Sequence, residues 1–511
     1  MKIFSAAISA VLLIASFPDL NINMLAWVAL IPLFFAIDGE KPFKAFLIAY
    51  LAGILFFLGT IYWLIHVTLP GMIAVVLYLA LYFGLFGLAV SYTARPQTAR
   101  PEATLFIIPA AWVTLEWIRS HLFTGFGWVL LGHSQTGNPT MIQIADLAGA
   151  YGVSFLIVLV NAAIYLTLKE LKNKRHSTFY LMVALSLVFL AISYGTFRLR
   201  NIFPGEHLKV AVIQGNIPQS KKWDYGFRRE ILDKYEALTR KAAREKPDLI
   251  IWPETSVPAF IEFDKAVSER MSGLARSVQA PILVGAPSAE AKAENVFYNS
   301  AVLFGADGKL TGRYDKLHLV PFGEYVPFKR FLSFVERLAP SPIGDFSRGK
   351  DFTVFSFFIE RRSGGKDLNW KLSKKVKFSC LICFEDIFPE LAREFVRHGA
   401  DFLVNITNDA WFKDSSAPYQ HAQASTFRAV ENRVNVVRAA NTGLSCFMDQ
   451  KGEMAASVES GGRKIFVGGF SVHEIVLTKT RTFYTVYGDI FAFACICLTL
   501  IYLLSIAVMK K

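Results

Sequence analysis

Long apolar segments separated by short polar loops fill the first 200 residues, and one more apolar segment lies at the end of the chain. A helix needs roughly 20 mostly apolar residues to cross a bilayer, and several of these segments are shorter, so the first two could instead form one re-entrant hairpin. The pattern therefore predicts a multi-pass helical bundle with about eight membrane spans, seven of them before a large polar region. The predicted spans are Ile3 to Phe17, Met24 to Ile37, Phe43 to Ile65, Met72 to Thr93, Thr104 to Ile118, Val153 to Leu168, Phe179 to Phe197 and Ile490 to Met509.

Between Leu208 and about Thr478 the pattern changes to short apolar runs separated by amphipathic stretches. The runs are rich in Val and Ile and several are apolar on both faces, as in buried strands. Strands that alternate with amphipathic helices indicate a layered α/β domain with helices covering a sheet. The predicted strands are Lys209 to Gln214, Asp248 to Trp252, Ile282 to Gly285, Asn299 to Phe304, Lys377 to Cys383, Phe402 to Thr407 and Val434 to Ala439, and the predicted helices are Phe227 to Glu245, Asp264 to Ser277 and Pro389 to His398.

These patterns divide the chain into three predicted domains. Residues 1–200 form a membrane domain of about seven spans, residues 201–480 form the α/β domain, and residues 481–511 form a terminal membrane helix. Composition agrees with this division, because apolar residues make up 53% of the chain, charged residues only 19%, and the mean hydropathy is +0.38. Soluble domains carry more charge, about 25%.

The distribution of Lys and Arg predicts how the spans are oriented. The first predicted loop (residues 18–23) and the third (residues 66–71) contain no Lys or Arg. Since basic residues are retained on the cytoplasmic side, both termini are expected in the cytoplasm and residues 201–480 outside it. Lys2 before an apolar run could also begin a signal peptide, but Ser16-Phe17-Pro18 offers no small-x-small cleavage site, so a retained anchor is favoured. The basic loop and terminal residues are Lys2, Lys41, Lys44, Arg95, Arg100, Lys169, Lys172, Lys174, Arg175, Lys510 and Lys511.

The net charge of +13 could indicate a nucleic-acid partner. However, no Lys/Arg run with interleaved aromatic residues resembles a binding module. Positive charge beside membrane spans and a basic surface facing anionic headgroups explain the excess more simply. Membrane lipids are therefore the expected partners, and nucleic acid is not.

The chain has five cysteines, and two of them, Cys495 and Cys497, lie in the last apolar segment. The three that remain outside the membrane segments are an odd number, so a disulfide framework is not indicated. Cys380 and Cys383 form a C-x-x-C pair, which is typical of a redox pair or half of a metal site. On a strand, however, residues three apart point to opposite faces. Because no second pair or Cys/His cluster accompanies them, neither a zinc site nor another metal site is predicted.

Three strand-end segments carry candidate chemistry. Glu254 follows an apolar strand that ends in Trp252-Pro253, Lys316 lies in the segment from Tyr314 to Tyr325, and Cys383 ends another predicted strand. A thiolate nucleophile needs a base to take its proton and a cation to stabilise charge. Taken alone, Glu254 and Lys316 read as surface charges and Cys383 as a small buried side chain. Their joint occurrence, in this order and at strand ends, favours a catalytic triad for acyl transfer.

The surrounding motifs resemble those of the nitrilase superfamily over roughly residues 209–474. Members of that superfamily carry a Glu-Lys-Cys triad in an αββα sandwich, so the resemblance implies that fold for the α/β domain. The matching segments are Trp252-Pro253-Glu254, Lys316 with Pro321-Phe322-Gly323-Glu324, Cys383-Phe384-Glu385, and Asn405-Ile406-Thr407-Asn408-Asp409-Ala410-Trp411-Phe412.

Over its whole length the chain resembles one membrane branch of that superfamily, the apolipoprotein N-acyltransferases. The segment from Gln214 to Gln219, followed by Trp223, is similar to the start of that branch's soluble domain. Phe384 stands where the branch often has tyrosine, which removes a hydroxyl from that position.

The resemblance implies a role for each residue. Glu254 acts as general base, Cys383 as nucleophile and Lys316 as the cation that stabilises the tetrahedral intermediate. The supporting residues are Glu324, Glu385 and Phe384, and the residues that contact substrate are Trp223 and Tyr325.

The implied reaction takes an acyl group from a phospholipid and transfers it, through a thioester on Cys383, to the amine of an S-diacylglyceryl cysteine of a lipoprotein. The resemblance further implies no cofactor, a monomer, and a location in the bacterial inner membrane with the catalytic domain on the periplasmic side. The same triad could instead serve a membrane-anchored amidase or hydrolase that releases the acyl group to water. A transporter with an accessory domain is a third interpretation, but Glu116 is the only clear acid within the predicted spans.

Overall fold

The computed structural model describes residues 1–93, 101–172, 178–201, 204–222, 224–290, 296–325, 345–362 and 371–509. The chain forms two compact units. The helical unit comprises Met1–Ile202, Ser415–Glu431 and Thr482–Lys511, and the α/β unit comprises Phe203–Asp414 and Asn432–Arg481. Residues 415–431 thus group with the helical unit, although they lie inside the α/β domain that the sequence predicts.

The helices and strands are numbered here along the chain. The described α-helices are α1 (Lys2–Ala15), α2 (Ile31–Ile37), α3 (Pro42–Thr60), α4 (Leu69–Thr93), α5 (Pro101–His121), α6 (Pro139–Ile142), α7 (Ala145–Lys172), α8 (Phe179–Arg200), α9 (Gln219–Lys222), α10 (Arg228–Ala242), α11 (Lys265–Val278), α12 (Pro389–Arg397), α13 (Ala417–Asn432), α14 (Phe483–Tyr487) and α15 (Ile490–Met509). The strands are β1 (Glu206–Gln214), β2 (Leu249–Ile251), β3 (Ile282–Ala289), β4 (Phe297–Phe304), β5 (Leu310–Asp315), β6 (Phe355–Arg362), β7 (Lys371–Ile382), β8 (Phe402–Thr407), β9 (Val436–Ala440), β10 (Cys446–Met448), β11 (Met454–Ser457) and β12 (Gly469–Leu477).

Four helices of the described chain, α3, α4, α7 and α8, are long and apolar enough to cross a membrane. Three shorter apolar helical segments accompany them, at Lys2–Ala15, Asn23–Ile37 and Ile490–Ile506. Helix α5 contains Pro109 and, in its second half, two charged residues, Glu116 and Arg119. The total of about eight spans therefore stays a prediction, while the membrane character of the helical unit is plain.

The two charged residues in the second half of α5 are hydrogen-bonded to protein groups. Both side chains are buried, Glu116 accepts a hydrogen bond from the Leu131 N–H at 2.7 Å, and Arg119 Nη1 donates to the Trp128 carbonyl at 2.8 Å. Pairing with a backbone group offsets part of the cost of placing a charged group in an apolar environment. These contacts explain the two charges as supports of the segment after α5.

Helix α13 joins the helical unit through the amide of Gln420. The amide oxygen accepts hydrogen bonds from the indole N–H groups of Trp63 at 3.1 Å and Trp128 at 2.9 Å, and the amide nitrogen donates to the Thr60 carbonyl at 2.8 Å. Buried polar groups are stable only when their hydrogen bonds are made, and here both ends of the amide are used. The pattern explains why this segment leaves the α/β unit.

The α/β unit consists of two six-stranded sheets. Their strand orders are β12-β1-β2-β3-β4-β5 and β11-β10-β9-β8-β7-β6. Strands β1, β2 and β3 run parallel to one another, as do β7, β8 and β9, and antiparallel strands complete both sheets. Strands of one sheet contact strands of the other at β1–β9 and β4–β7.

Helices cover the outer faces of both sheets. On the first sheet, α10 buries Ile231 and Tyr235 and α11 buries Met271 and Leu274, all within one core cluster with β1 to β4. On the second sheet, α12 packs against β7 and β8 and buries Phe395, among other apolar side chains. The αββα sandwich implied by the sequence resemblance is thus present. It places the turns after β2 and β7, which are both interior strands with a parallel neighbour, where functional side chains gather.

Candidate active site

Glu254 lies in the turn after β2. Pro253 has no N–H to continue the strand ladder, so the chain turns at the end of Trp252-Pro253. Gly285 of β3 makes room for the turn, because a Cβ at that position would lie 2.6 Å from the Glu254 Cα. The carboxyl group is buried, with only 6% of the residue exposed. The local sequence therefore presents a buried carboxylate at the end of a central strand.

Lys316 directly follows β5, and its main-chain N–H donates to the carbonyl of Asn299 on β4 at 2.9 Å. Its ammonium contacts both oxygens of Glu324, at 3.0 Å and 2.9 Å, and lies 3.7 Å from Glu254 Oε1. Burial disfavours the charge, but the Glu324 and Glu254 carboxylates outweigh burial and raise the pKa of Lys316 above its usual value. Lys316 therefore remains an ammonium at neutral pH.

Asn299 links the two carboxylates. Its Nδ2 donates to Glu254 Oε1 at 2.7 Å and to Glu324 Oε1 at 2.7 Å. Because both acceptors are carboxylate oxygens, only the nitrogen end of the amide can face them. Asn299 and Lys316 together hold two like-charged carboxylates side by side.

Cys383 begins a 3-10 turn, Cys383–Ile387, immediately after β7. Its φ of 54° lies in the left-handed region that non-glycine residues rarely adopt. Such a conformation persists only where neighbouring groups fix it. Asn405 supplies one restraint, since its Nδ2 donates to the Cys383 carbonyl at 3.0 Å.

Glu385 supplies further restraints at the same turn. One oxygen accepts from the N–H groups of Leu317 at 2.7 Å and His318 at 3.0 Å, and the other accepts from Ile382 N–H at 2.7 Å. The Tyr314 hydroxyl donates to both oxygens at 2.9 Å. One buried carboxylate thus ties the segment that carries Lys316 to the turn that carries Cys383.

A second buried network lies at the adjoining strand ends. Arg438 of β9 is fully buried, and its Nη1 donates to Asp386 at 2.7 Å and to Asn405 Oδ1 at 2.9 Å. Its Nη2 donates to Asp409 at 3.4 Å. Arg438 therefore orients the amide of Asn405, which in turn holds the Cys383 carbonyl.

The Cys383 thiol is protonated in the resting site. Burial first, and then the negative charge of Glu254, raise its pKa well above the usual value for cysteine, while Lys316 acts in the opposite direction. A protonated thiol needs a base before it can attack a carbonyl carbon. Burial also raises the pKa of Glu385 to about 7, against the stabilising effect of its hydrogen bonds to backbone N–H groups.

Among the predicted site residues, the structure thus brings together Glu254, Lys316, Glu324, Glu385 and Cys383. Phe384 packs edge-on against Phe388, with ring centroids 5.2 Å apart. The Tyr325 carbonyl accepts from the Phe322 N–H at 2.8 Å, which is a main-chain contact only. Trp223, predicted to contact substrate, lies outside the described residues.

All five cysteines are free thiols, and Cys380 is buried on β7 while Cys383 lies beyond the end of that strand. The pair therefore carries no disulfide in this structure.

Comparison with known proteins identifies the family. Residues 9–163 match the family model described as apolipoprotein N-acyltransferase N-terminal domain, and residues 209–479 match the model described as carbon-nitrogen hydrolase. The apolipoprotein N-acyltransferase of Geobacter metallireducens is 40% identical over 96% of this chain and 92% of its own length. The chain belongs to the apolipoprotein N-acyltransferase family.

A second relative of the same name, from Chlorobaculum tepidum, is 30% identical over 99% of this chain and 97% of its own length. The solved structure of Saccharomyces cerevisiae Nit3, a member of branch 10 of the nitrilase superfamily, covers 54% of this chain and 92% of Nit3 at 20% identity, with a TM-score of 0.38. The family models and the two relatives confirm the resemblance inferred from the sequence motifs, and this member of the apolipoprotein N-acyltransferase family is a membrane-bound acyltransferase.

Several residues of this acyltransferase site did not emerge from sequence reasoning. Asn299, Arg438 and Lys222 all contact groups of the site through bonds between distant chain segments. The available signal was a polar side chain inside an otherwise apolar strand, which holds for Asn299 on β4 and Arg438 on β9. Lys222 lies in a basic Lys-Lys pair and gave no such signal.

Proposed function

We propose that this protein transfers a fatty acyl group from a phospholipid to the N-terminal amine of an S-diacylglyceryl cysteine in lipoproteins, by a two-step reaction through a thioester on Cys383. The observation that carries the proposal is the Glu254 carboxylate, 3.7 Å from the Lys316 ammonium, with the Lys316 segment tied to the Cys383 turn by the buried hydrogen bonds of Glu385. The family of the chain supports the reaction class, and the names of its relatives support the acceptor.

In the first step Glu254 takes the proton of the Cys383 thiol, and the thiolate attacks the ester carbonyl of the phospholipid. Negative charge then moves onto the carbonyl oxygen, where Lys316 stabilises it. When the intermediate collapses, the bond to the glycerol oxygen breaks and Glu254 returns the proton to that oxygen. A lysophospholipid leaves, and the acyl chain stays on Cys383 as a thioester.

In the second step the neutral amine of the acceptor attacks the thioester carbonyl. Glu254 accepts a proton from the amine nitrogen, and the bond between carbon and sulfur breaks. The same proton passes to the departing thiolate, so the protonated thiol is regenerated and an amide is formed. The Glu254 carboxylate thus acts first as general base and then as general acid, as is common in covalent catalysis.

The supporting residues keep this geometry. Glu324 and Asn299 hold the Lys316 ammonium and the Glu254 carboxylate beside each other. Glu385 joins the Lys316 and Cys383 segments through buried hydrogen bonds. The roles of three further residues stay predictions. Phe384 is predicted to support the turn that carries the nucleophile, and Tyr325 and Trp223 are predicted to contact the substrate.

The proposal can be tested with purified protein in mixed micelles of phosphatidylglycerol and a diacylglyceryl lipopeptide. We expect equal amounts of lysophospholipid and N-acylated peptide. With no lipopeptide present, we expect a burst of one lysophospholipid per protein molecule. Cys383→Ala abolishes both signals, whereas Cys497→Ala, which removes an exposed thiol of α15, leaves them unchanged. Steady release of free fatty acid without lipopeptide would instead indicate a hydrolase.

We further propose that the α/β unit faces the periplasm and that both termini face the cytoplasm, on the distribution of Lys and Arg. Tyr225 is highly exposed in the α/β unit and Lys41 is exposed between α2 and α3. In a Cys497→Ala background, a membrane-impermeant maleimide added to intact spheroplasts should label Tyr225→Cys and leave Lys41→Cys unlabelled until lysis. The reverse pattern would contradict the orientation.

A further inference from the structure

Lys222 is a buried lysine that the two-step reaction does not use. Only 2% of the residue is exposed, and its ammonium donates to the main-chain carbonyl of Glu254 at 2.7 Å. Within the part of the chain that the structure describes, this is its one hydrogen bond. Lysine is almost never fully buried without a charged partner, because the ammonium loses its hydration. A buried ammonium bonded to a catalytic segment therefore calls for a functional explanation.

The chain segment before Lys222 is held by hydrogen bonds at Ile217, just before the short helix α9, and at Gln219, the first residue of α9. Asn441 accepts from the Ile217 N–H at 2.9 Å and donates to the Ile217 carbonyl at 2.8 Å. Gln219 of α9 accepts from Asn408 Nδ2 at 2.8 Å. These bonds come from the turns after β8 and β9, on the second sheet. Lys222 therefore reaches the turn after β2 from a fixed position and not from a flexible loop.

Lys222 also belongs to the site electrostatically. Burial lowers its pKa to about 8, while the negative charge of Glu254 and the Cys383 group act in the opposite direction. Lys316 and Cys383 have pKa values raised above their usual ranges, so both keep their protonation state between pH 7 and 9. Glu385, with a pKa of about 7, completes most of its titration below pH 8. Lys222 is thus the group expected to change charge near pH 8.

We propose that Lys222 is a positioning residue of the catalytic centre. Its buried ammonium holds the turn of Glu254 in place by donating to the main-chain carbonyl of Glu254, and it adds a second positive charge, besides Lys316, near the Glu254 carboxylate and the Cys383 thiol. The inference rests on the proposed function, because it assigns Lys222 a role in the proton transfer between Cys383 and Glu254. During that transfer negative charge moves from the carboxylate to the sulfur. A fixed cation near the sulfur stabilises the thiolate form of Cys383. Lys316 supplies one such cation but is also paired with the Glu324 carboxylate, so the Lys222 ammonium adds to its effect.

The test measures the burst of lysophospholipid from phosphatidylglycerol without lipopeptide, as a function of pH. Four variants are compared with the wild type. Lys222→Met removes both the hydrogen-bond donor and the charge, and Lys222→Gln keeps a donor but no charge. Lys222→Arg keeps the positive charge at all pH values, and Lys221→Met is the control. Lys221 is a matched control, since its ammonium pairs with exposed Glu230 at 3.3 Å. At pH 7 we expect Lys222→Met to slow the burst about 10- to 100-fold, part of what general acid–base catalysis contributes.

The pH profile separates positioning by a charge from a purely structural role. The wild-type burst rate should fall above pH 8 and approach the rate of Lys222→Gln, while Lys222→Arg stays flat to pH 9.5 and Lys221→Met follows the wild type. A Lys222→Met rate within twofold of wild type overturns the inference, as does an unchanged alkaline decline in Lys222→Arg. If the wild type itself gives no Cys383-dependent burst, the proposed function fails instead, so the two failures are distinguishable.

Discussion

Substitution of Glu385 by glutamine gives a sharp test of how the site is held together. The substitution keeps the size of the side chain but replaces one acceptor oxygen by an NH2 group, which only donates. In the wild type, one Glu385 oxygen accepts from the N–H groups of Leu317 and His318, and the other accepts from the Ile382 N–H at 2.7 Å. If the oxygen that the variant keeps still accepts from Leu317 and His318, its new NH2 group faces the Ile382 N–H. The N–H that directly precedes Cys383 is then left without an acceptor.

The expected magnitude follows from that loss. A buried N–H without a partner costs about 1–3 kcal/mol. If the chain relieves the cost by shifting the Cys383 turn, the shift appears in the barrier for acylation, and the rate falls about 5- to 150-fold. The free energy of unfolding changes by no more than the same amount, so the protein still folds.

The assay is the single-turnover lysophospholipid burst together with thermal denaturation in detergent. Glu394→Gln serves as the control, because Glu394 is a surface carboxylate of α12 that pairs with Arg397 at 2.8 Å. We expect the control to match the wild type in both measurements. A folded Glu385→Gln protein with a wild-type burst rate would refute the view that Glu385 positions the nucleophile.

Three further predictions concern the neighbours of the nucleophile. Asn299→Leu removes the hydrogen-bond donor shared by the Glu254 and Glu324 carboxylates, so the burst rate should fall; an unchanged rate would count against this. Arg438→Met leaves Asp386 as a buried charge without its arginine and should destabilise the fold by about 3–5 kcal/mol, visible as a lower thermal midpoint; an unchanged midpoint would contradict it. Glu254→Gln removes a charge that raises the pKa of Cys383, so the pH midpoint for iodoacetamide alkylation should fall, and a rise would be inconsistent with the site.

Glu254 and Cys383 could be singled out as candidates because each follows a strong local signal in the sequence, and their catalytic roles stay predictions. Glu254 comes after an apolar strand stopped by proline, and Cys383 ends the predicted strand Lys377 to Cys383, which the structure shows as β7 ending at Ile382. The predicted strand Phe402 to Thr407 is confirmed at both ends, and Asn299 to Phe304 corresponds to β4, which begins two residues earlier. Buried strands rich in Val, Ile and Leu leave clear patterns in a sequence.

The rest of the site depends on contacts between segments that are far apart in the chain. Strand β12 pairs with β1 across more than 250 residues, and its sequence has no sustained alternation of polar and apolar residues that would predict a strand. The position of Lys222 depends on Asn408 and Asn441, which are ordinary turn residues when seen in sequence alone. Helix α13 reads as part of the α/β domain until its Gln420 is seen bonded to Trp63 and Trp128.

The most direct test is intact mass spectrometry of the protein after incubation with phosphatidylglycerol alone, followed by tandem analysis of the modified peptide. The account predicts one acyl group per molecule, attached to Cys383, removed by hydroxylamine, and discharged rapidly by a lipopeptide amine but slowly by water. A protein that acylates the lipopeptide without ever carrying an acyl group on Cys383, or that carries it on another residue, would contradict the proposed reaction.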